Sequence, residues 1–180
     1  MIQIIDGDLA TCKADVIVQQ SNCLTTKPLG LAAYLAEFLG VDPYKSRTSI
    51  GKTNLAIEEH RDTPGKIRVY HIPPKTGVFA KHMVCFFAQF TPGPAGKYYK
   101  NVLKESSICN EETGETRREW FQMGLDKLGG LMETIGANTV AFPYGIGCGL
   151  AGGSWTHYLK MIQDWASANP QFKVLIVRKT

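Results

Sequence analysis

Three glycines at alternate positions, Gly145, Gly147 and Gly149, follow a short apolar run and precede a helical pattern, and this arrangement constrains the chain more than any other feature. Residues 138–142 read as a buried strand that Pro143 stops. Trp155, Tyr158, Leu159, Ile162, Trp165 and Ala166 then repeat at helical spacing along one face. Ser154 is placed to cap that helix. Glycines before a helix let the backbone turn through positive φ and approach a ligand, leaving peptide N–H groups directed outward. Such a turn suits a phosphate. An ordinary strand-to-helix loop, with glycines for close packing, is the competing reading.

Two better-known glycine loops are excluded by context. A P-loop requires Lys-Ser or Lys-Thr after its glycines, and none follows here. The run from Gly147 to Gly152 matches G-x-G-x-x-G, but a dinucleotide fold carries that turn after its first strand, with further βα units downstream. Only one more strand, at 173–178, fits before position 180, and it ends in Arg178 and Lys179 where a ribose-binding acid is required. A nucleotide-using oxidoreductase is thereby disfavoured.

With 180 residues, 44% of them hydrophobic, the chain is expected to form one domain with a full core. A net charge of +4, dispersed along the sequence, favours anionic ligands only weakly. The five cysteines form no C-x-x-C pair, and His60, His71, His82 and His157 lack metal-ligand spacing, so reduced thiols and no metal site are expected. No apolar stretch has membrane-spanning length and no signal-peptide pattern opens the sequence; the expected setting is cytoplasmic or nuclear, and the expected state a monomer.

Strands are predicted at 2–5, 14–20, 66–71, 83–89 and 173–178, with a shorter one near 54–57, and helices at 31–39 and 117–132. Gly40 should close the first helix. The segment 97–116 is aperiodic and charged, as a lid or irregular excursion would be. Strands alternating with helices imply a three-layer α/β/α domain with a mixed or largely parallel sheet.

Polar residues at strand ends are the candidates for chemistry, because ligands of open α/β sheets bind there. Asp8, just past the first strand, serves as a turn or cap residue or as a ligand contact. Asn22, at the end of the second, must satisfy its amide with loop backbone or with a hydroxylated ligand. Cys23 and Cys148 have no adjacent base, which argues against a nucleophilic thiolate. Tyr144 and Phe90, ending adjacent strands, could wall a base or ribose, and Trp155 could edge a pocket.

Taken together, Gly7-Asp8-Leu9, Asn22, Gly30-Leu31-Ala32 and Pro143-Tyr144-Gly145-Ile146-Gly147-Cys148-Gly149-Leu150 resemble the macrodomain family over nearly the whole chain. The late Ile-Gly-Cys-Gly-Leu segment is most similar to the branch containing the terminal ADP-ribose protein glycohydrolase and the yeast ADP-ribose-1″-phosphate phosphatase. The resemblance implies that Asp8, with the Leu9 backbone, meets the adenine amine, that Asn22 holds the distal ribose, and that Gly30, Leu31 and Ala32 approach the diphosphate. Ile146, Gly147, Cys148, Gly149 and Leu150 would wrap its other side, beside Tyr144 and Gly145. Two neutral N–H cradles would then hold two negative charges.

The sequence also departs from that pattern. The usual glycine-rich run before the first helix is Thr25-Thr26-Lys27-Pro28-Leu29-Gly30 here, which adds a cation. The glycohydrolase branch has a lysine after its central strand and an aspartate after Gly-Cys-Gly-Leu; Phe90 and Ala151 align with them. A covalent lysine route is therefore absent, and a water held by Asn22, the 145–150 backbone and the ligand phosphate is the remaining route. The resemblance implies an ADP-ribose-binding domain that hydrolyses an ADP-ribose derivative, with Asn22 and Lys27 as catalytic residues and ADP-ribose-1″-phosphate or an ADP-ribosylated macromolecule as substrate. A non-catalytic ADP-ribose reader is the alternative. Neither needs a cofactor.

Overall fold

The computed structural model describes residues 2–180. Six strands form one mixed sheet in the order β1 (Ile2–Gly7), β6 (Lys173–Lys179), β5 (Thr139–Pro143), β2 (Val16–Gln20), β4 (His82–Phe86) and β3 (Ile67–His71). All neighbours are parallel except β3 against β4. Burial on both faces explains why β2, β4, β5 and β6 read as continuous apolar runs.

Alternate residues of each strand feed opposite layers. Val140, Phe142 and Ile176 join the core beneath α3 (Gly114–Ile135) and α4 (Trp155–Ala168), while Ala141, Leu175 and Val177 join the core beneath α1 (Gly30–Leu39). This is the α/β/α layering expected. Gly40, at φ 72°, ends α1 as the sequence indicates. A third cluster, with Cys23, Leu24, Phe87, Phe90 and Leu103, lies under the irregular segments.

Five expectations require correction. The strand expected at 83–89 ends at Phe86, where the antiparallel partner β3 begins; Phe87 still bonds to Gly65 and Lys66, and residues 88–90 are irregular. At 54–57 there are two isolated bridges, Thr25 with Leu55 and Ser49 with Ala56, rather than a strand. The aperiodic stretch holds a short helix, α2 (Lys100–Glu105), and α3 starts at Gly114, three residues earlier than expected, because Thr113 and Thr116 form a capping box. Ser154 occupies the cap position of α4, but its side chain makes no capping bond. Among the described residues no helix is long and apolar enough to cross a membrane.

Candidate functional site

The chain leaves β2 for α1 on one face of the sheet and leaves β5 for α4 on the other, although β2 and β5 are neighbours. Divergent connections open a crevice at the carboxyl ends of such strands. A cavity of about 890 Å³ lies there, in the range of small-molecule sites. Its walls are the start of α1, the 143–151 loop, the ends of β2 and β4, and the 92–99 segment.

Two sets of peptide N–H groups border it. The first turn of α1 leaves its N–H groups without intrahelical acceptors, and Leu29, at the cap position, offers no side-chain acceptor. Opposite, Gly145 and Gly147 take φ of 81° and 79°, conformations that strain other residues. Turn bonds use the N–H groups of Ile146 and Cys148, whereas those of Gly147, Gly149 and Leu150 find no protein acceptor among the described residues. Both sets belong to residues that line the cavity.

Asn22 lines the cavity, but its side chain is engaged locally. Its Oδ1 accepts from Leu24 N and Thr25 N, both at 2.9 Å, and its Nδ2 donates to Thr25 Oγ1 at 3.0 Å. Of the two ways to satisfy this amide, the chain uses the loop backbone. Lys27 lies on the rim and is the one charged residue of the lining among the described residues. Asn54, absent from the sequence-based candidates, shapes this loop by accepting from Thr26 N at 3.2 Å and Lys27 N at 3.0 Å.

Tyr144 lines the cavity with its ring 4.9 Å from that of Trp155. Trp155 backs Tyr144 and does not line the cavity. Phe90 is fully buried in the third cluster, so the aromatic wall expected of it is absent. Gln89 is the residue that the extension of β4 presents to the cavity, and it accepts from Gln20 Nε2 at 2.8 Å. Neither Gln89 nor Phe90 is a lysine. Ala151 lines the cavity without an acidic group.

Asp8 and Leu9 are not part of this lining. Leu9 is buried beneath α1, and Asp8 caps a turn of 3₁₀ helix, Leu9–Thr11, by accepting from Ala10 N at 2.8 Å while Tyr34 Oη donates to its other oxygen. Asp8 leaves β1, two strands from β5, which corresponds to roughly 10 Å along the sheet edge from Tyr144. Loss of water around the thiols pushes Cys148 up to about 11 and Cys23 well above the ordinary cysteine value, so neither supplies a thiolate at neutral pH. No group of three metal-ligating side chains occurs among the described residues.

Two buried arginines position the loops, and the sequence pattern signalled neither. Arg47 pairs with Asp62 at 2.7 Å and donates to Asn22 O at 2.7 Å and Thr25 O at 2.8 Å. Arg117 pairs with Glu112 at 2.9 Å and donates to Thr91 O, Gly93 O and Ala151 O. In sequence both resemble ordinary surface charges.

No family model matches the chain, and neither does any curated protein. Solved structures do. The macrodomain of Mycobacterium tuberculosis DarG superposes with a TM-score of 0.67 at 17% identity, over 98% of this chain and 97% of that one. A mutant Oceanobacillus iheyensis macrodomain with ADPR gives 0.61 at 14% identity over 98% and 84%. Thermosipho africanus DarTG in complex with ADP-ribose gives 0.64 at 15% identity, over 98% of this chain and 41% of that one. The chain has a macrodomain fold.

Proposed function

We propose that this chain binds ADP-ribose in the cavity at the β5–β2 crevice. The observation that carries the reading is the pair of N–H sets, one at the start of α1 and one at residues 147–150, bordering the same cavity with little formal charge around it. An uncharged cradle of this kind suits a diphosphate. The Thermosipho africanus neighbour, 41% of which this chain covers, is in complex with ADP-ribose, and the mutant Oceanobacillus iheyensis macrodomain is with ADPR.

In this pose the diphosphate lies between Gly30, Leu31, Ala32 and residues 146–150. The distal ribose lies over Asn22 and Gln89. Adenine extends past Tyr144 and Gly145 toward Asp8 and the Leu9 backbone. Calorimetric titration tests the proposal: saturable ADP-ribose binding, with adenosine much weaker, is expected, and no heat or competition at high micromolar ligand refutes it.

Hydrolysis of an ADP-ribose derivative is the second reading, and Lys27 is the observation that favours it, since a cation on the rim suits a terminal phosphate ester. It is also the reading that the Ile146-to-Leu150 sequence supports through its likeness to the phosphatase branch. Gln89 and Ala151 offer neither nucleophile nor acid, so the step falls to a bound water and the ligand's own phosphate. Phosphate release from ADP-ribose-1″-phosphate, compared between wild type and Lys27→Ala, tests it. Tight binding without turnover leaves a reader of ADP-ribose.

A further inference from the structure

An arginine is almost never fully buried unless it is paired, and the Arg117 side chain, paired with Glu112, is only 3% exposed. A core that required stability alone is served as well or better by apolar residues, because desolvating an ion pair offsets much of its attraction. The Arg117 geometry supplies something an apolar residue cannot. Its guanidinium is planar and presents donors in a fixed fork. Nε donates to Glu112 Oε2 at 2.9 Å, Nη2 to Thr91 O at 2.9 Å, and Nη1 to both Gly93 O at 2.7 Å and Ala151 O at 3.1 Å.

Those carbonyls belong to two different walls. Gly93 lies in the segment that follows β4, Ala151 in the glycine loop that follows β5, and both line the cavity. Glu112 completes the hold by accepting from Phe90 N at 2.6 Å, Thr91 N at 3.2 Å and the Thr91 hydroxyl. Residues 87–99 contain no strand or helix, and the backbone bonds of this segment to the sheet side, Phe87 with Gly65 and Lys66 and Cys23 N to Phe90 O, stop at Phe90.

We propose that Arg117 is a positioning residue: one rigid fork, braced by Glu112, presets the separation of the two cavity walls, so that a ligand reaching both meets a site already assembled. Preorganisation of this kind raises affinity by removing the ordering cost from the binding step. The inference rests on the ADP-ribose reading above. In the pose proposed above, adenine and diphosphate lie on the β5 side, and only the distal ribose reaches the wall that follows β4.

The ligand-length dependence separates this role from a purely structural one. Arg117→Lys keeps the charge beside Glu112 but cannot span three carbonyls. Titration with ADP-ribose and with ADP, which lacks the distal ribose, is run on wild type, Arg117→Lys and Glu112→Gln below their melting temperatures. Wild type prefers ADP-ribose. Arg117→Lys is expected to lose at least tenfold more toward ADP-ribose than toward ADP, which meets the glycine loop but not the wall after β4, and Glu112→Gln, which keeps an acceptor, to lie between. Equal losses for both ligands, or folded Arg117→Lys binding ADP-ribose with the wild-type constant, overturns the inference while leaving the binding site intact. Failure of wild type to bind ADP-ribose removes the reading itself, and this inference with it.

Discussion

Leu150 reaches across the cavity mouth to Gly30: a Cβ built on Gly30 would stand 3.4 Å from Leu150 Cδ1. The two loops that border the proposed diphosphate site thus meet through a side chain that is 67% exposed and contributes little to the core. Leu150→Ala is therefore expected to leave the melting temperature within about 2 °C of wild type, since surface changes usually stay within roughly 0.5 kcal/mol. It should speed ADP-ribose dissociation several-fold, because the bridge over the ligand is shortened. Stopped-flow displacement reads this directly, and an unchanged off-rate shows that Leu150 does not cover the ligand.

The glycines of the late loop differ in what they avoid. A Cβ on Gly147 would lie 2.9 Å from Tyr158 Cζ, and Tyr158 packs edge-on against Phe121 at 5.0 Å in the core. With φ at 79° as well, Gly147→Val should destabilise the fold by about 2 kcal/mol or more, through strain and overpacking. Gly149 has open space around its Cβ position. Gly149→Val should melt like wild type and lose ADP-ribose at least tenfold. Thermal melts and titrations on both variants decide it; retained affinity in Gly149→Val refutes the anion-cradle reading.

How much of this was legible in sequence follows from the range of the forces involved. The apolar runs of β2, β4 and β5 and the periodicity of α1 and α4 are local patterns, and they located the layers but not the strand order: the strands ending near Tyr144 and Phe90 were expected to be neighbours, and β2 lies between them. The positive-φ turn at Gly145 and Gly147 was legible for the same reason. Arg117 was not, because Glu111, Glu112, Glu115, Arg117, Arg118 and Glu119 alternate as a solvated helix start does, and only packing against the 90–93 wall selects which pair is buried. Arg47 and Asp62 lie in a stretch with neither helical nor strand period, so the folded 41–66 segment left no periodic trace. The placing of Phe90 at the cavity failed because β4 ends at Phe86, and the irregular segment beyond it turns Gln89 toward the cavity and Phe90 into the core.

Desolvation at Cys148 makes a reactivity prediction with a definite sign. A thiol raised to about 11 stays protonated below that pH, and only its thiolate attacks an alkylating agent. At pH 8 the thiolate is roughly one part in a thousand. Labelling of Cys148 by iodoacetamide should rise about tenfold per pH unit from 8 to 10 and flatten near 11. Because Cys148 lines the cavity while the other four cysteines are buried, it should label first, and ADP-ribose should slow it. Peptide mass spectrometry over a pH series gives the profile; a plateau near pH 9 shows an unshifted thiol.

Asp62 has two arginine partners with different surroundings. The Arg47 side chain is 1% exposed and that of Arg68 is 47% exposed. Removing Arg47 strands buried carbonyls of Asn22 and Thr25 as well as a carboxylate, so Arg47→Met should cost about 3–5 kcal/mol of stability. Arg68→Ala, at the surface, should cost about 0–1 kcal/mol. Urea denaturation of the two variants tests the order, and equal losses show that the buried pair is not what holds the 22–25 loop.

The geometry of Asn22 changes how its role has to be tested. Asn22→Ala orphans the buried N–H groups of Leu24 and Thr25, each worth about 1–3 kcal/mol, so loss of activity in that variant reports a collapsed loop as readily as a missing catalytic group. Asn22→Asp keeps the Oδ1 acceptor and the turn, and replaces the donating amide with a negative charge at the cavity wall. In the proposed pose Asn22 meets only the distal ribose of ADP-ribose, so Asn22→Asp should stay folded and bind ADP-ribose within about tenfold of wild type. A carboxylate next to the terminal phosphate of ADP-ribose-1″-phosphate meets like charge, so binding and turnover of that compound should fall by at least a further factor of ten, and more at low salt than at high salt. Titration and phosphate release at two ionic strengths, with wild type and Asn22→Asp, separate the outcomes. Equal losses for the two ligands place the terminal phosphate away from Asn22 and remove it from the hydrolytic reading, leaving ribose binding as its contribution.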